Sequence, residues 1–420
     1  MAKEYKREQY VQSLAKRLDV PLIKVLAGMR RVGKSYLLRP LFTNYLLRCG
    51  WTQEQIIHFD LDDQRQKALL RPDNLLAAIL KQVVDNRPYV VLLDEIQLVD
   101  DFAMLLNTLL HERNLSVYVT GSNSKFLSSD IATQFRGRSE TIRVYPLSFA
   151  QICREGVDDQ LAAWDDYWRY GGLPLVVRED EAELKMSLLQ TQANNVYIND
   201  LVERYAIRDV SVLQRLIEIV ASSIGSLTNP QKIANTFASN HELVDRRKID
   251  QYLNYLQEAF IIEKVERFDV RGRKHISSQA KYYFSDMGVR NSWLSWRQLE
   301  ENYALENIIY LELRRRGYSV NVGVVNTRQA FDGTKARKQL EVDFIAQKGP
   351  LKYYIQSTLA WDDPDKKRQE RRSLQSIDDS FKKVVIIGRH TPRLVEEDGI
   401  LVMDVFDFLL DDKSLELDRW

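Results

Sequence analysis

The chain reads as an α/β protein: a parallel sheet carrying a phosphate-binding loop, with further modules after it. Three observations predict this. Gly28-Met29-Arg30-Arg31-Val32-Gly33-Lys34-Ser35 fits G-x-x-x-x-G-K-[ST] at every fixed position. "RPYVVLLDEIQ", residues 87–97, is an apolar run closed by two acids. Apolar strand-like runs alternate with helical stretches through residues 1–150, the order that builds a parallel sheet.

Each element follows in turn. "PLIKVLA" (21–27) is a short buried strand, and "SYLLRPLFTNYLL" (35–47) is an amphipathic helix. The loop between them lets backbone N–H groups curl around phosphates, and the helix N-terminus adds its positive end. Gly28 to Ser35, with Tyr36 behind them, therefore form the expected ATP site. Lys34 would reach the β- and γ-phosphates, and the Ser35 hydroxyl would ligate Mg²⁺. Arg30 and Arg31 sit where only backbone is required, so their side chains can point away to neighbouring elements.

"IIHFDLDD" (56–63) and "ETIRVYPLSF" (140–149) supply further strands. Tyr89 to Leu93 suit a central parallel strand, which puts Asp94 and Glu95 at its ligand-binding end. Asp94 suits the Mg²⁺ water shell, and Glu95 suits the base that polarises an attacking water. "LSVYVTGSNS" (115–124) is another buried strand, ending in Thr120, Ser122 and Asn123. A polar group there, Ser122 above all, could sense the γ-phosphate or simply cap a helix.

The bulk numbers exclude several classes. Of 420 residues 28% are charged, yet the net charge is +1, so any hold on a polyanion must come from local patches. Two cysteines, Cys49 and Cys153, are too few for a disulfide framework and point to a cytoplasmic protein. "MAKEYKREQYVQSL" has no apolar core, so no signal peptide is expected. No apolar run reaches about 18 residues, so no membrane partner is expected either.

Together the motifs resemble the AAA+ class of P-loop ATPases. More narrowly they are similar to a widespread bacterial and archaeal group in which an AAA-type domain precedes a C-terminal region of unassigned function. The likeness rests on "GMRRVGKS", "VVLLDEIQ", "VTGSNSKFLS", "FRGRSETIRVYPLSF", "YWRYGGLPLV", "INDLVERYAIRD" and "YYFSDMGVRN", which span roughly residues 20 to 360. "RGR…PLSF" and "YGGLP" narrow it from class to group. The resemblance implies ATP binding and hydrolysis. It also makes Arg136 and Arg138 candidate arginine fingers toward a neighbouring subunit of a homo-oligomer, with a structural ion pair as the alternative.

The fold expected overall is an AAA+ parallel-sheet P-loop domain (1–150), a helical lid or connector (151–205), a winged-helix domain (206–290) and an α/β restriction-endonuclease-like domain (291–420). The winged helix follows from "VLQRLIEIVASSI", "NPQKIANTFA" and "DRRKIDQYLNYLQEA", three helical patterns, then "FIIEKVERF" and "KYYFSDM", two strands around "DVRGRKH". Arg246, Arg247, Lys248 and Gln251 on the third helix, and Arg271, Arg273, Lys274 and His275 on the wing, could hold DNA phosphates.

The last region runs helix, three strands, helix, strand, an order that resembles the PD-(D/E)XK nuclease fold. Glu306, Asp343 and Gln356 match its metal-binding positions, but Gln356 replaces an acid and Thr358 stands where a lysine should be. Loss of that ammonium and of one carboxylate predicts lost or weakened cleavage. The function expected is Mg²⁺-dependent ATP hydrolysis coupled to binding of DNA or a partner through the C-terminal modules. The alternative is a nucleotide-gated protein-interaction switch with slow turnover and no nucleic-acid contact.

Overall fold

The computed structural model describes residues 4–121, 137–331, 334–361 and 364–416. Its contacts divide the chain into two compact units. One comprises Met1–Leu147, Leu173–Arg178 and Glu258–Phe260; the other comprises Ser148–Gly172, Glu179–Gln257 and Ile261–Trp420.

The first unit holds the expected parallel sheet. Its strands are β1 (Ile23–Ala27), β2 (Ile56–Asp60), β3 (Tyr89–Asp94), β4 (Leu115–Gly121) and β5 (Ser139–Arg143), in the order β2-β3-β4-β1-β5. Every pairing is parallel. β1 and β3 are buried along their whole length, as a strand covered on both faces requires. Burial of each large apolar side chain there stabilises by about 1.5–3 kcal/mol. The ends of β1, β3 and β4 lie side by side, which gathers the loop after β1 and the acids after β3 at one edge.

The helix after the loop departs from the expected single amphipathic helix. It is α-helical at Lys34–Tyr36, widens to a π-turn at Leu37–Phe42 and returns to α at Thr43–Arg48. Pro40 lies inside the wide turn and has no N–H to give the preceding turn, so the helix passes it by widening.

In the second unit, helices Val210–Ser222, Pro230–Ser239 and Arg246–Glu258 precede the hairpin β6 (Ile262–Asp269) and β7 (Lys274–Phe284). β7 begins seven residues before Lys281, where the sequence pattern placed it, because "KHISSQA" also pairs with β6. The remaining strands are β8 (Ser319–Phe331), β9 (Thr334–Lys348), β10 (Leu351–Thr358), β11 (Lys382–Ile387), β12 (Leu394–Val395) and β13 (Leu401–Asp404). All eight form one mixed sheet, β12-β13-β11-β10-β9-β8-β6-β7. Parallel pairing of Arg267, Phe268 and Asp269 with Val322, Gly323 and Val324 joins the hairpin to the rest, so the sheet runs straight across residue 290. Helix Pro364–Gln375 covers a core of Val342, Ile345, Tyr354, Leu374, Val385 and Val402.

"YGGLP" and "FSDMG" meet within this unit. Asp286 caps helix Met287–Trp293 and also accepts a 2.7 Å hydrogen bond from the Gly172 amide. A Cβ on Gly171 would lie 2.1 Å from the Asp286 carboxylate, and Gly171 has φ +75°, so only glycine fits. Burial raises the Asp286 carboxyl to about 6. Among the described residues, no helix is long and apolar enough to cross a membrane.

Candidate nucleotide site

The loop after β1 is held by its own backbone needs. Gly33 has φ +87° as the helix starts, a conformation costly for any side chain. Gly28 has a different reason to be glycine: a Cβ there would lie 2.2 Å from the Val144 carbonyl. Arg31 also takes a left-handed backbone, φ +68°, and this non-glycine strain marks a constrained turn. Met29 and Val32 are buried, whereas Arg30, Arg31, Ser35 and Tyr36 are exposed.

Lys34 opens the helix and is only 4% exposed. Its ammonium donates to the Gly28 carbonyl at 3.0 Å and the Met29 carbonyl at 3.2 Å. Burial pulls its pKa down to about 8, while Glu95 and Asp94 hold it up and Arg143 and Arg30 depress it further. The loop lysine and the acids after β3 thus lie within electrostatic reach of one another.

Asp94 ends β3 and is buried. Thr120, at the end of β4, joins the two acids: its hydroxyl donates to Asp94 Oδ1 and accepts from the Glu95 amide at 2.9 Å. Glu95 is half-buried with φ +54°, and its carboxylate accepts from the Gln97 side chain. A strained glutamate pinned by a buried threonine is held in one place. Thr120, one of three polar candidates at this strand end, fixes the two acids. Ser122 and Arg136 lie outside the described residues. Arg138 donates to Asn107 Oδ1 at 3.0 Å within its own chain.

The nuclease-like positions also converge. Glu306 Oε1 accepts from Lys281 Nζ at 2.8 Å and from the Tyr283 hydroxyl at 2.6 Å. Lys281, 3% exposed, also pairs with Glu341 at 2.8 Å. Asp343 Oδ2 accepts from the Ser357 amide and hydroxyl at 2.8 and 2.7 Å. Burial and Glu306 push the Asp343 carboxyl up to about 7, against the pull of Lys281. The Gln356 amide bridges the Asp343 N–H and Glu370. Lys281, on β7, thus brings an ammonium to Glu306 and Glu341, a contact that spacing along β10 gave no sign of. Among the described residues no group of three His, Cys, Asp or Glu side chains could hold a metal ion.

The "AAA domain" family model matches residues 21–153, and "Domain of unknown function (DUF8612)" matches residues 161–300. An uncharacterized protein of Methanocaldococcus jannaschii is 27% identical over 370 residues, 85% of this chain and 79% of its own. An uncharacterized protein of Haemophilus influenzae is 33% identical over 410 residues, 96% of this chain and 98% of its own. The chain belongs to the family of that Haemophilus protein. Among solved structures, the Walker-type ATPase paby2304 of Pyrococcus abyssi aligns with TM-score 0.48 at 16% identity, over 69% of this chain and 96% of that one.

Residues 21–153 of this family member form an AAA-type P-loop ATPase domain. Outside it, the expected phosphate-holding side chains divide. Arg246, Arg247, Arg273 and Lys274 are exposed. Lys248 is paired with Asp209 at 2.5 Å, Gln251 donates to the Tyr255 hydroxyl, and Arg271 pairs with Asp378 at 3.4 Å.

Proposed function

We infer that the AAA domain binds ATP with Mg²⁺ and hydrolyses it, and that the second unit responds to the nucleotide. One observation carries the reading. The buried Lys34 ammonium sits on the loop carbonyls, within electrostatic reach of an Asp94–Glu95 pair locked by Thr120. Phosphate oxygens are better partners for that ammonium than neutral carbonyls. The Ser35 hydroxyl and Asp94 would hold Mg²⁺, a fitting donor set when phosphates and waters fill the other positions. Bound Mg²⁺ neutralises charge on the phosphates. Glu95 orients the attacking water and takes up its proton.

Release of phosphate by wild type, Lys34→Ala and Glu95→Gln tests this. Lys34→Ala should fall to background, and Glu95→Gln by about a hundredfold or more. Equal rates for wild type and Lys34→Ala would remove the ATPase reading. A fall in activity on dilution that Arg138→Ala also produces would support a finger acting between subunits.

For the second unit, the reading is a winged-helix module and a nuclease-like module that touch DNA. The exposed Arg246, Arg247, Arg273 and Lys274 support it. Binding to duplex DNA should weaken steeply with salt, and Arg246→Ala with Arg247→Ala should flatten that slope. The ion pairs of Lys248 and Arg271 favour a second reading, a nucleotide-gated protein-interaction switch. ATP turnover with no DNA binding at low salt would select it.

A further inference from the structure

We propose that Arg7, just before helix Glu8–Ala15, is a positioning residue for the phosphate loop and sets how tightly the loop takes a nucleoside triphosphate. The proposal rests on the reading of residues 28–35 as the nucleotide site.

A loop that aims its N–H groups at phosphate must turn carbonyls elsewhere, and those carbonyls need donors. Two cations supply them here. Lys34 bonds the Gly28 and Met29 carbonyls, on the first half of the loop. Arg7 Nη1 donates to the Val32 carbonyl at 2.6 Å, on the second half. Lys34 leaves its carbonyls when it turns to phosphate, whereas Arg7 has no reason to move. It keeps the second half in shape through the exchange.

Arg7 is itself anchored. Its Nη2 donates to the Tyr145 carbonyl, and its guanidinium lies 4.9 Å over the Tyr10 ring. The Tyr10 hydroxyl accepts from the Tyr145 amide at 3.0 Å, so both polar groups of residue 145 are bound from the N-terminal segment. The adjacent Val144 carbonyl already abuts Gly28. Arg7 therefore ties the end of the loop to the same stretch of chain that packs against its beginning. A second fastening lies one turn on, where the Tyr36 hydroxyl donates to Glu4 Oε1 at 2.6 Å.

The arrangement is built, not incidental. Arg7 is 5% exposed and its backbone is left-handed, φ +47°. A non-glycine residue stays in that conformation only when its surroundings fix it. The two carbonyls also need a planar fork, which arginine has and lysine lacks. Lys at position 7 keeps the charge and loses the fork, so it separates geometry from electrostatics.

The test measures Kd for a fluorescent ATP analogue with Mg²⁺, and KM and kcat for ATP, well below the melting temperature of the nucleotide-free protein. Wild type, Lys34→Ala, Arg7→Ala and Arg7→Lys are compared as full chains. Arg7→Ala should raise Kd and KM about tenfold, the effect of losing a charge-assisted hydrogen bond. Its kcat should stay within about threefold, because the lost interaction serves ground state and transition state alike. Arg7→Lys should fall between.

Wild-type Kd in Arg7→Ala, or a kcat that falls as far as KM rises, overturns the proposal. If Arg7→Ala does not fold, wild-type Kd in Arg7→Lys overturns it instead. If wild type binds and Lys34→Ala does not, while both Arg7 variants match wild type, only the role of Arg7 is lost. If wild type binds no nucleotide, the site reading and the role of Arg7 fall together.

Discussion

At the scale of single residues, Lys34 links folding and binding to pH. Burial lowers its pKa from 10.5 to about 8, despite the pull of Glu95 and Asp94. Below about pH 8 the folded protein carries a buried charge that the unfolded chain solvates better. Between about pH 8 and 10.5 the folded form sheds this proton first, so the destabilising contribution of Lys34 fades as pH rises through that window. A triphosphate favours the charged form, so binding above about pH 8 must take up a proton. ATP affinity should then weaken by up to about tenfold per pH unit beyond pH 8, whereas Lys34→Arg, always charged, should give a flat profile. Nucleotide titrations on either side of pH 8 measure this, and parallel profiles would refute it. Lys34, Asp94 and Glu95 were legible in the sequence because their chemistry is local: each ends or begins an element. Arg7 was not, because a loop carbonyl twenty-five positions away leaves no mark in spacing. Arg143, which bears on Lys34 and stacks 3.6 Å from the Phe260 ring, is visible only once β5 lies beside β1.

Among elements, the decisive pairing is that of β6 with β8, which joins the hairpin carrying Lys281 to the strands that carry Asp343 and Gln356. Sequence spacing found Glu306, Asp343 and Gln356, and the fold brings them near one another. It could not find Lys281, because that residue reaches the acids through sheet order and not through chain order. Lys281 acts as an internal counter-ion for Glu306, whose side chain is 12% exposed. Lys281→Met should therefore destabilise the second unit by about 1–3 kcal/mol, since it takes the counter-ion from a half-buried carboxylate that, among the described residues, keeps only its Tyr283 hydrogen bond. Adding Glu306→Gln should recover part of the loss. Urea unfolding of the single and double variants decides it, and a silent Lys281→Met would mean that the pair contributes nothing net. The helices were easier to read: the Asn229 cap and Pro230 fixed the start of the second, and apolar periodicity fixed the others.

For the whole molecule, the pattern of elements suggested four modules, but the expected borders at 205 and 290 both fall inside the second unit. The sheet crosses residue 290 through the β6–β8 pairing, and Ile261–Trp420 falls in one compact unit. Sequence patterns mark where elements begin and end; they do not say which strand pairs with which. A chain cut at residue 290 would keep β6 without the partner at its outer edge and lose helix Glu301–Arg315, whose Asn307 bonds both polar groups of Phe284. Such a fragment should aggregate, whereas the full chain should lose the helices of 210–258 and the strands after 319 in a single transition. Hydrogen exchange followed by peptide would show this, and separate transitions for the two stretches would contradict it.

The glycine that opens the phosphate loop is easily taken as a sign of chemistry. In this protein its α-carbon faces a peptide oxygen of residue 144, close enough that one methyl group would pry the two stretches of chain apart. A descendant that had abandoned nucleotides altogether would still be obliged to keep it. Its presence in a relative therefore certifies a seam in the architecture and says nothing about turnover. Ser35, at the surface, gives folding little cause to retain its hydroxyl. In comparing members of this family, that serine is the better witness to a living engine.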